Sequence, residues 1–169
     1  MSTTQDPAYS LTLAKEDFKF SSGHFTLFSE SEAELLHGHN YQVGVEFVGS
    51  RLDEEGLLIN FIETKKMIRS LCEELDTQLL IPDRSPHLRL HEQDGHLEIR
   101  FQDRRYVVPS EDVLLIPEVN TSIELLARYI WGRLTSELDL SHLDTVGVSV
   151  SETAGQLCWY RAPAPKTDA

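Results

Sequence analysis

The chain has 169 residues, a formal net charge of −13 and a hydrophobic fraction of 40%, which suits one domain with a proper core. The acid excess excludes a general nucleic-acid or anionic-membrane binder, whose phosphates need Lys and Arg, but leaves room for a small phosphorylated ligand in a local basic pocket. With two cysteines, no secretory leader and no apolar run of bilayer length, the expected setting is soluble, reducing and cytoplasmic.

In chain order, residues 9–25 read as strand, since Ser-Leu-Thr-Leu-Ala alternates and Phe18 and Phe20 alternate again. Residues 26–36 are less regular. Ser29-Glu30-Ser31-Glu32 marks a loop with space for a helical turn before Leu36. Alternation over residues 37–48 predicts a long strand, and residues 49–56 a turn. Asn60 stands where a helix N-cap belongs and Glu63 follows three residues on, as in a capping box. Phe61, Ile68, Leu71 and Leu75 then mark one face of a helix ending near residue 75, with Cys72 beside them as a small core residue.

Pro82 and Pro86 close the next segment. Residues 87–91 and 96–101 alternate on either side of Gln93-Asp94-Gly95 and predict a hairpin. Leu88, Leu90, Leu97, Ile99 and Phe101 fall on its apolar parity, and His87, His91 and His96 on a solvated one. Thr121, with Glu124 three residues later, predicts a second helix whose buried stripe is Ile123, Leu126, Ile130, Leu134 and Leu138. Val146, Val148 and Val150 alternate in a further core strand that carries Glu152 on the same parity. Ala154-Gly155 turns into a last strand over residues 157–160. Residues 1–7 and 162–169 read as tails. The order of elements predicts an α+β domain with both helices on one face of an antiparallel sheet.

The chemistry centres on His37-Gly38-His39. Residues i and i+2 of a strand share a face, so both imidazoles project with Tyr41, Val43, Val45 and Phe47 toward the core. His24 shares a parity with Phe18, Phe20 and Ser22, and if the two strands pair, three imidazoles converge. An unpartnered buried imidazole costs roughly 1–3 kcal/mol. No carboxylate shares the parity of the H-x-H strand, so a metal suits the set better than a hydrogen-bond network does. Three histidines and an open position form the catalytic-zinc arrangement. The H-x-H pattern by itself also fits strand-end histidines satisfied by backbone groups.

At His24, His37-Gly38-His39-Asn40-Tyr41, Thr121-Ser122-x-Glu124 and Ser151-Glu152-Thr153, the chain resembles the 6-pyruvoyltetrahydropterin synthase / 6-carboxytetrahydropterin synthase family. The resemblance spans most of the sequence as a single domain, with residues from about 86 to 117 as an inserted hairpin excursion. It implies a tunnelling fold whose subunits close sheets into barrels, as trimers or stacked hexamers. It implies Zn²⁺ on His24, His37 and His39, and Glu152 gripping the amino and ring N–H edge of a pterin through paired charge-assisted hydrogen bonds. Thr121 and Ser122 are the further substrate-binding candidates, and Asp76 a catalytic one.

Three departures shape the functional expectation. Many members carry a cysteine shortly before the H-x-H, whereas residues 32–36 are Glu-Ala-Glu-Leu-Leu. One subfamily uses a glutamate three residues before the first histidine, and Glu34 holds that place as candidate general base, with Glu32 as its rival. The usual Leu-Asp-His reads Leu75-Asp76-Thr77, without the imidazole, which His142 could replace from elsewhere. Asn60-Phe61 stands where Asp-Phe is common. The expected activity is a zinc-dependent lyase acting on the side chain of 7,8-dihydroneopterin triphosphate or a related dihydropterin, giving a 6-hydroxymethyl or 6-pyruvoyl pterin. The alternatives are a 6-carboxytetrahydropterin synthase and a pterin-binding paralogue without turnover.

Overall fold

The strand that carries the H-x-H is the longest in the molecule, and the rest of the sheet is built around it. The computed structural model describes residues 8–166. The order is β1 (Tyr9–Leu13), β2 (Lys19–His24), β3 (His37–Gly49), α1 (Phe61–Leu75), β4 (Leu79–Pro82), β5 (Arg89–Gln93), β6 (His96–Phe101), β7 (Arg104–Pro109), β8 (Val113–Ile116), α2 (Ile123–Glu137), β9 (Thr145–Thr153) and β10 (Gln156–Pro163). One edge of β3 serves two partners. β2 pairs antiparallel with residues 37–42 and β1 with residues 45–49, while β9 covers the other edge. Among the described residues no helix is long and apolar enough to cross a membrane.

The period-2 pattern of β3 sorts its side chains as expected. Tyr41, Val43, Val45 and Phe47 are fully buried and meet Phe20, Val146, Val148 and Val150 in one core. Burying each large apolar side chain contributes roughly 1.5–3 kcal/mol. α1 and α2 cover that face with Ile68, Leu71, Cys72 and Leu75 and with Leu126, Ala127, Ile130 and Leu134. Both helices therefore lie on one side of the sheet. α1 starts as its sequence dictates, with Asn60 Oδ1 accepting from Ile62 N at 2.9 Å and Glu63 N at 3.5 Å.

Several expectations are corrected. The sheet is mixed rather than antiparallel, in the order β10-β9-β3-β2-β4-β8, with β4 parallel to β2 and β8 parallel to β4. Each of the two added strands returns through a crossover, α1 for one and β5–β7 for the other. The single strand over residues 9–25 is two, because the polar run Lys15-Glu16-Asp17 turns and Phe18 N closes on Lys15 O at 3.0 Å. No helical turn forms before Leu36; Leu27 and Ala33 bridge instead. α2 is capped at Ser122, not Thr121, and the cap makes no side-chain hydrogen bond. Residues 162–163 are strand rather than tail, Ala164 is buried, and Lys166 Nζ donates to Leu143 O at 2.8 Å. Residues 1–7 and 167–169 lie outside the described residues.

The predicted hairpin gains a third strand. β5-β6-β7 form a small antiparallel sheet over a second core, in which Leu97, Ile99 and Phe101 meet Phe25, Leu27 and Ile81. His87, His91 and His96 are exposed, as their parity requires. The end of the excursion, β8, joins the main sheet.

Candidate active site

The antiparallel register of β2 and β3 sets His24 opposite His37 and Ser22 opposite His39. The ring centroids are 4.8 Å apart for His24–His37, 5.3 Å for His24–His39 and 4.7 Å for His37–His39. One ring nitrogen of each lies within 4.8 Å of the other two, and among the described residues this is the one group of His, Cys, Asp or Glu placed to share an ion. Gly38 keeps the strands close, since a Cβ there would come 3.2 Å from Ser22 O.

The second nitrogens decide what the cluster can do. His24 Nδ1 lies 3.2 Å from Thr121 O, and His37 Nδ1 lies 2.7 Å from Leu35 O. A carbonyl only accepts, so both Nδ1 atoms carry the proton and both Nε2 atoms present a lone pair. His24 Nε2 is buried with no hydrogen-bond partner, and His37 Nε2 faces His39 Nε2 at 2.9 Å. An orphaned lone pair beside two more ring nitrogens is a costly arrangement for a hydrogen-bond network and a suitable one for Zn²⁺, which takes neutral imidazole. Burial, then the charges of His37 and His39, push the His24 pKa down to about 4, so this imidazole stays neutral at pH 7.

Two carboxylates stand beside the imidazoles. Glu152 comes from β9, with Oε2 3.7 Å from His39 Nε2 and its side chain 19% exposed. β3 carries no acid of its own there, but the neighbouring strand supplies one. Glu34 comes from the loop before β3. Its Oε2 accepts from Thr26 N at 2.9 Å, and its own N donates to Thr26 O at 2.9 Å. Burial works to raise the Glu34 pKa, but the Thr26 hydrogen bond and the neighbouring His37 and His24 outweigh it and hold the carboxyl below its ordinary range. Glu34 is half-buried, whereas its rival Glu32 is exposed.

Asp76 caps α1 at its C-terminal end. Its Oδ1 accepts from Ser21 N at 2.6 Å, which ties the helix to β2. Thr77 follows in a left-handed conformation, φ 62°, with N–H donated to Ser21 O at 2.7 Å. Thr77 lines a cleft of about 800 Å³ with Ser22, His37, His39 and Asn40, a volume in the range of small-molecule sites. Thr121 is buried, its hydroxyl 3.4 Å from Phe25 O, and Ser122 follows at the helix cap. His142 is not at the site. Its Nε2 lies 2.9 Å from Leu58 O, before the start of α1, and α1 separates that end from Asp76 by about 22 Å.

Three participants escaped the sequence reading. Asn120 brackets the Leu27 backbone, Oδ1 accepting from Leu27 N at 3.1 Å and Nδ2 donating to Leu27 O at 2.8 Å, while Oδ1 also takes Thr121 N at 3.0 Å. It thereby fixes the N–H of Thr121, the residue whose carbonyl orients His24. Arg104 of β7 donates through Nη2 to Ala33 O at 3.1 Å and through Nη1 to Glu34 O, so the small sheet holds the Glu34 loop. Tyr41 Oη is buried without a hydrogen-bond partner, and burial raises its pKa. An Asn just before a helix is a local signal that could have been caught; the contacts of Arg104 span some 70 residues and leave none.

Comparison with known proteins gives the fold a family. Residues 12–163 match the family model described as 6-pyruvoyl tetrahydropterin synthase. A relative from Bacillus subtilis named 6-carboxy-5,6,7,8-tetrahydropterin synthase is 29% identical over 156 residues, covering 90% of this chain and 86% of that one. A relative from Methanocaldococcus jannaschii, named provisionally for the same activity, is 32% identical over 146 residues, 85% of this chain and 89% of that one. The solved 6-pyruvoyltetrahydropterin synthase of Plasmodium vivax superposes with a TM-score of 0.87 at 29% identity, covering 94% of this chain and 99% of that one. Another structure of it replaces a glutamate called a catalytic residue with alanine. With its three imidazoles and flanking acids on this shared fold, the chain belongs to the 6-pyruvoyltetrahydropterin synthase family.

Proposed function

We propose that the protein is a zinc-dependent lyase acting on the side chain of 7,8-dihydroneopterin triphosphate or a related dihydropterin, giving a 6-substituted pterin of the 6-hydroxymethyl or 6-pyruvoyl type. The observation that carries this reading is Glu34, a carboxylate tethered beside three imidazoles whose ring nitrogens converge. Zinc held by His24, His37 and His39 supplies Lewis acidity that makes a side-chain hydroxyl easier to deprotonate. Glu34, ionised at pH 7, takes that proton, and a modest base suffices for an acidified hydroxyl. Glu152 accepts hydrogen bonds from the amino and N–H edge of the pterin, and Thr121 and Ser122 border the bound ring. Asp76 is the second acid–base candidate, acting without the imidazole that Thr77 replaces. Subunits closing their sheets into a barrel, as a trimer or hexamer, would complete the cleft wall.

A 6-carboxytetrahydropterin synthase is the second reading, favoured by the names of the Bacillus and Methanocaldococcus relatives. Incubation of zinc-loaded protein with dihydroneopterin triphosphate, followed by chromatography, tests both. A 6-hydroxymethyl or 6-pyruvoyl product supports the first reading and a 6-carboxy product the second. Tight pterin binding with no product identifies a paralogue that has lost turnover.

A further inference from the structure

Three buried side-chain atoms among the described residues lack a hydrogen-bond partner, and two are neighbours: His24 Nε2 and Tyr41 Oη. The first is accounted for by a metal. The second is a phenol O–H, which no metal arrangement built on the imidazoles uses. Leaving such a donor unpaired in a buried setting costs roughly 1–3 kcal/mol, and native structures rarely carry that cost without a use for it.

The position of the ring narrows that use. Tyr41 stands next along β3 from His39 on the same face. It stacks on Phe20 at 4.7 Å and meets His24 and His39 edge-on at 5.9 and 5.8 Å. On the other side, the β3–β9 register pairs Gln42 with Ser151, so one step further Tyr41 faces Glu152. The ring is thus held between an aromatic wall and a carboxylate, against the imidazoles. The other functional groups there are electron-pair donors: the Nε2 atoms and two carboxylates. An oxygen of a ligand entering their midst needs a hydrogen-bond donor, and the phenol is one already oriented by its packing.

We propose that Tyr41 is a substrate-binding residue, whose O–H donates to an oxygen on the side chain of the bound dihydropterin. This rests on the pterin reading above. It differs from the role of Glu152, which grips the ring rather than the side chain, and it selects for substrates oxygenated beyond C6.

Tyr41→Phe keeps the ring and deletes the donor. Three measurements are made on wild type and variant: thermal unfolding of metal-free protein, zinc content, and affinity for 6-hydroxymethyl-7,8-dihydropterin against 7,8-dihydropterin without a side chain. The expected result is an unlowered Tm, full zinc, about ten-fold weaker binding of the hydroxymethyl ligand and unchanged binding of the bare one. Equal affinities for the hydroxymethyl ligand in both proteins overturn the proposal. An equal loss on both ligands, a lowered Tm or lost zinc does so too, since each gives the hydroxyl a structural role instead. Wild type that binds neither ligand refutes the pterin reading itself, which a silent variant beside a binding wild type leaves intact.

Discussion

At His24 the distinction between a packed histidine and a ligating one comes down to two nitrogens, one spent on the Thr121 carbonyl and the other facing no partner. Replacing His37 with Ala removes one converging lone pair, and metal analysis of the purified variant should fall from about one zinc per chain to near zero. Glu34→Gln keeps the shape and the Thr26 contact but removes the base. Turnover should drop about 10²-fold, with Glu32→Gln near wild type; the reverse pattern would move the role to Glu32. The depressed His24 pKa also has a stability consequence. Its folded value, about 4, lies below the ordinary 6.5, so the unfolded chain binds more protons between those values. Metal-free protein should lose stability as pH falls from about 6.5 toward 4, seen as a falling urea midpoint. A flat profile across that window would contradict the burial of a neutral His24. The placing of these residues was legible in the sequence where strand parity carried it: His24, His37 and His39 converge, and Glu152, following three valines, comes to lie beside them. The orienting carbonyls of Leu35 and Thr121 were not, because a backbone group leaves no mark on residue identity.

The same contrast holds for the elements. α1, α2, β3 and β9 have long periodic patterns and were readable; β4 and β8, with sequences LLIP and VLLI, are four-residue apolar runs that periodicity leaves undecided. In the small sheet, β5 and β6 were readable as a hairpin but β7 was not, and it is Arg104 of β7 that holds the carbonyls of Ala33 and Glu34. Arg104→Ala should free that loop. The expected outcome is about ten-fold lower kcat with zinc content unchanged and faster amide exchange at residues 33–34; normal kcat would make the sheet a bystander. At the end of α1, Thr77 is a β-branched residue at φ 62°, a conformation that costs a non-glycine residue about 1–2 kcal/mol. Thr77→Gly relieves that strain while loosening the unfolded chain. Its urea midpoint should therefore rise or hold, whereas a marked fall would mean that the threonine side chain supports the turn.

For the whole molecule, one face of the main sheet is covered by both helices, and the edge strands β10 and β8 each keep an unpaired side within the chain. Exposed edges are normally paired or blocked. Light scattering at micromolar concentration should report three or six times the 19.2 kDa chain mass; a monomer would refute barrel closure between subunits. The α+β class and the placing of both helices on one face followed from the order of periodic segments. The parallel additions did not, because a crossover joins strands distant in sequence and the pairing is decided by tertiary packing.

The two carbonyls that set the imidazoles belong to the main chain at residues 35 and 121, and no side-chain replacement at those positions deletes them directly. The acids beside the imidazoles are single side chains, each exchangeable by one codon change. Heritable variation thus falls unevenly on the site: the carbonyls that orient His24 and His37 are buffered against drift, while the imidazoles and the acids beside them are exposed to it. A lineage on this scaffold can exchange the acids at residues 34 and 152 without disturbing the carbonyls that orient His24 and His37, so a shared imidazole geometry carries little information about whether two relatives share a reaction.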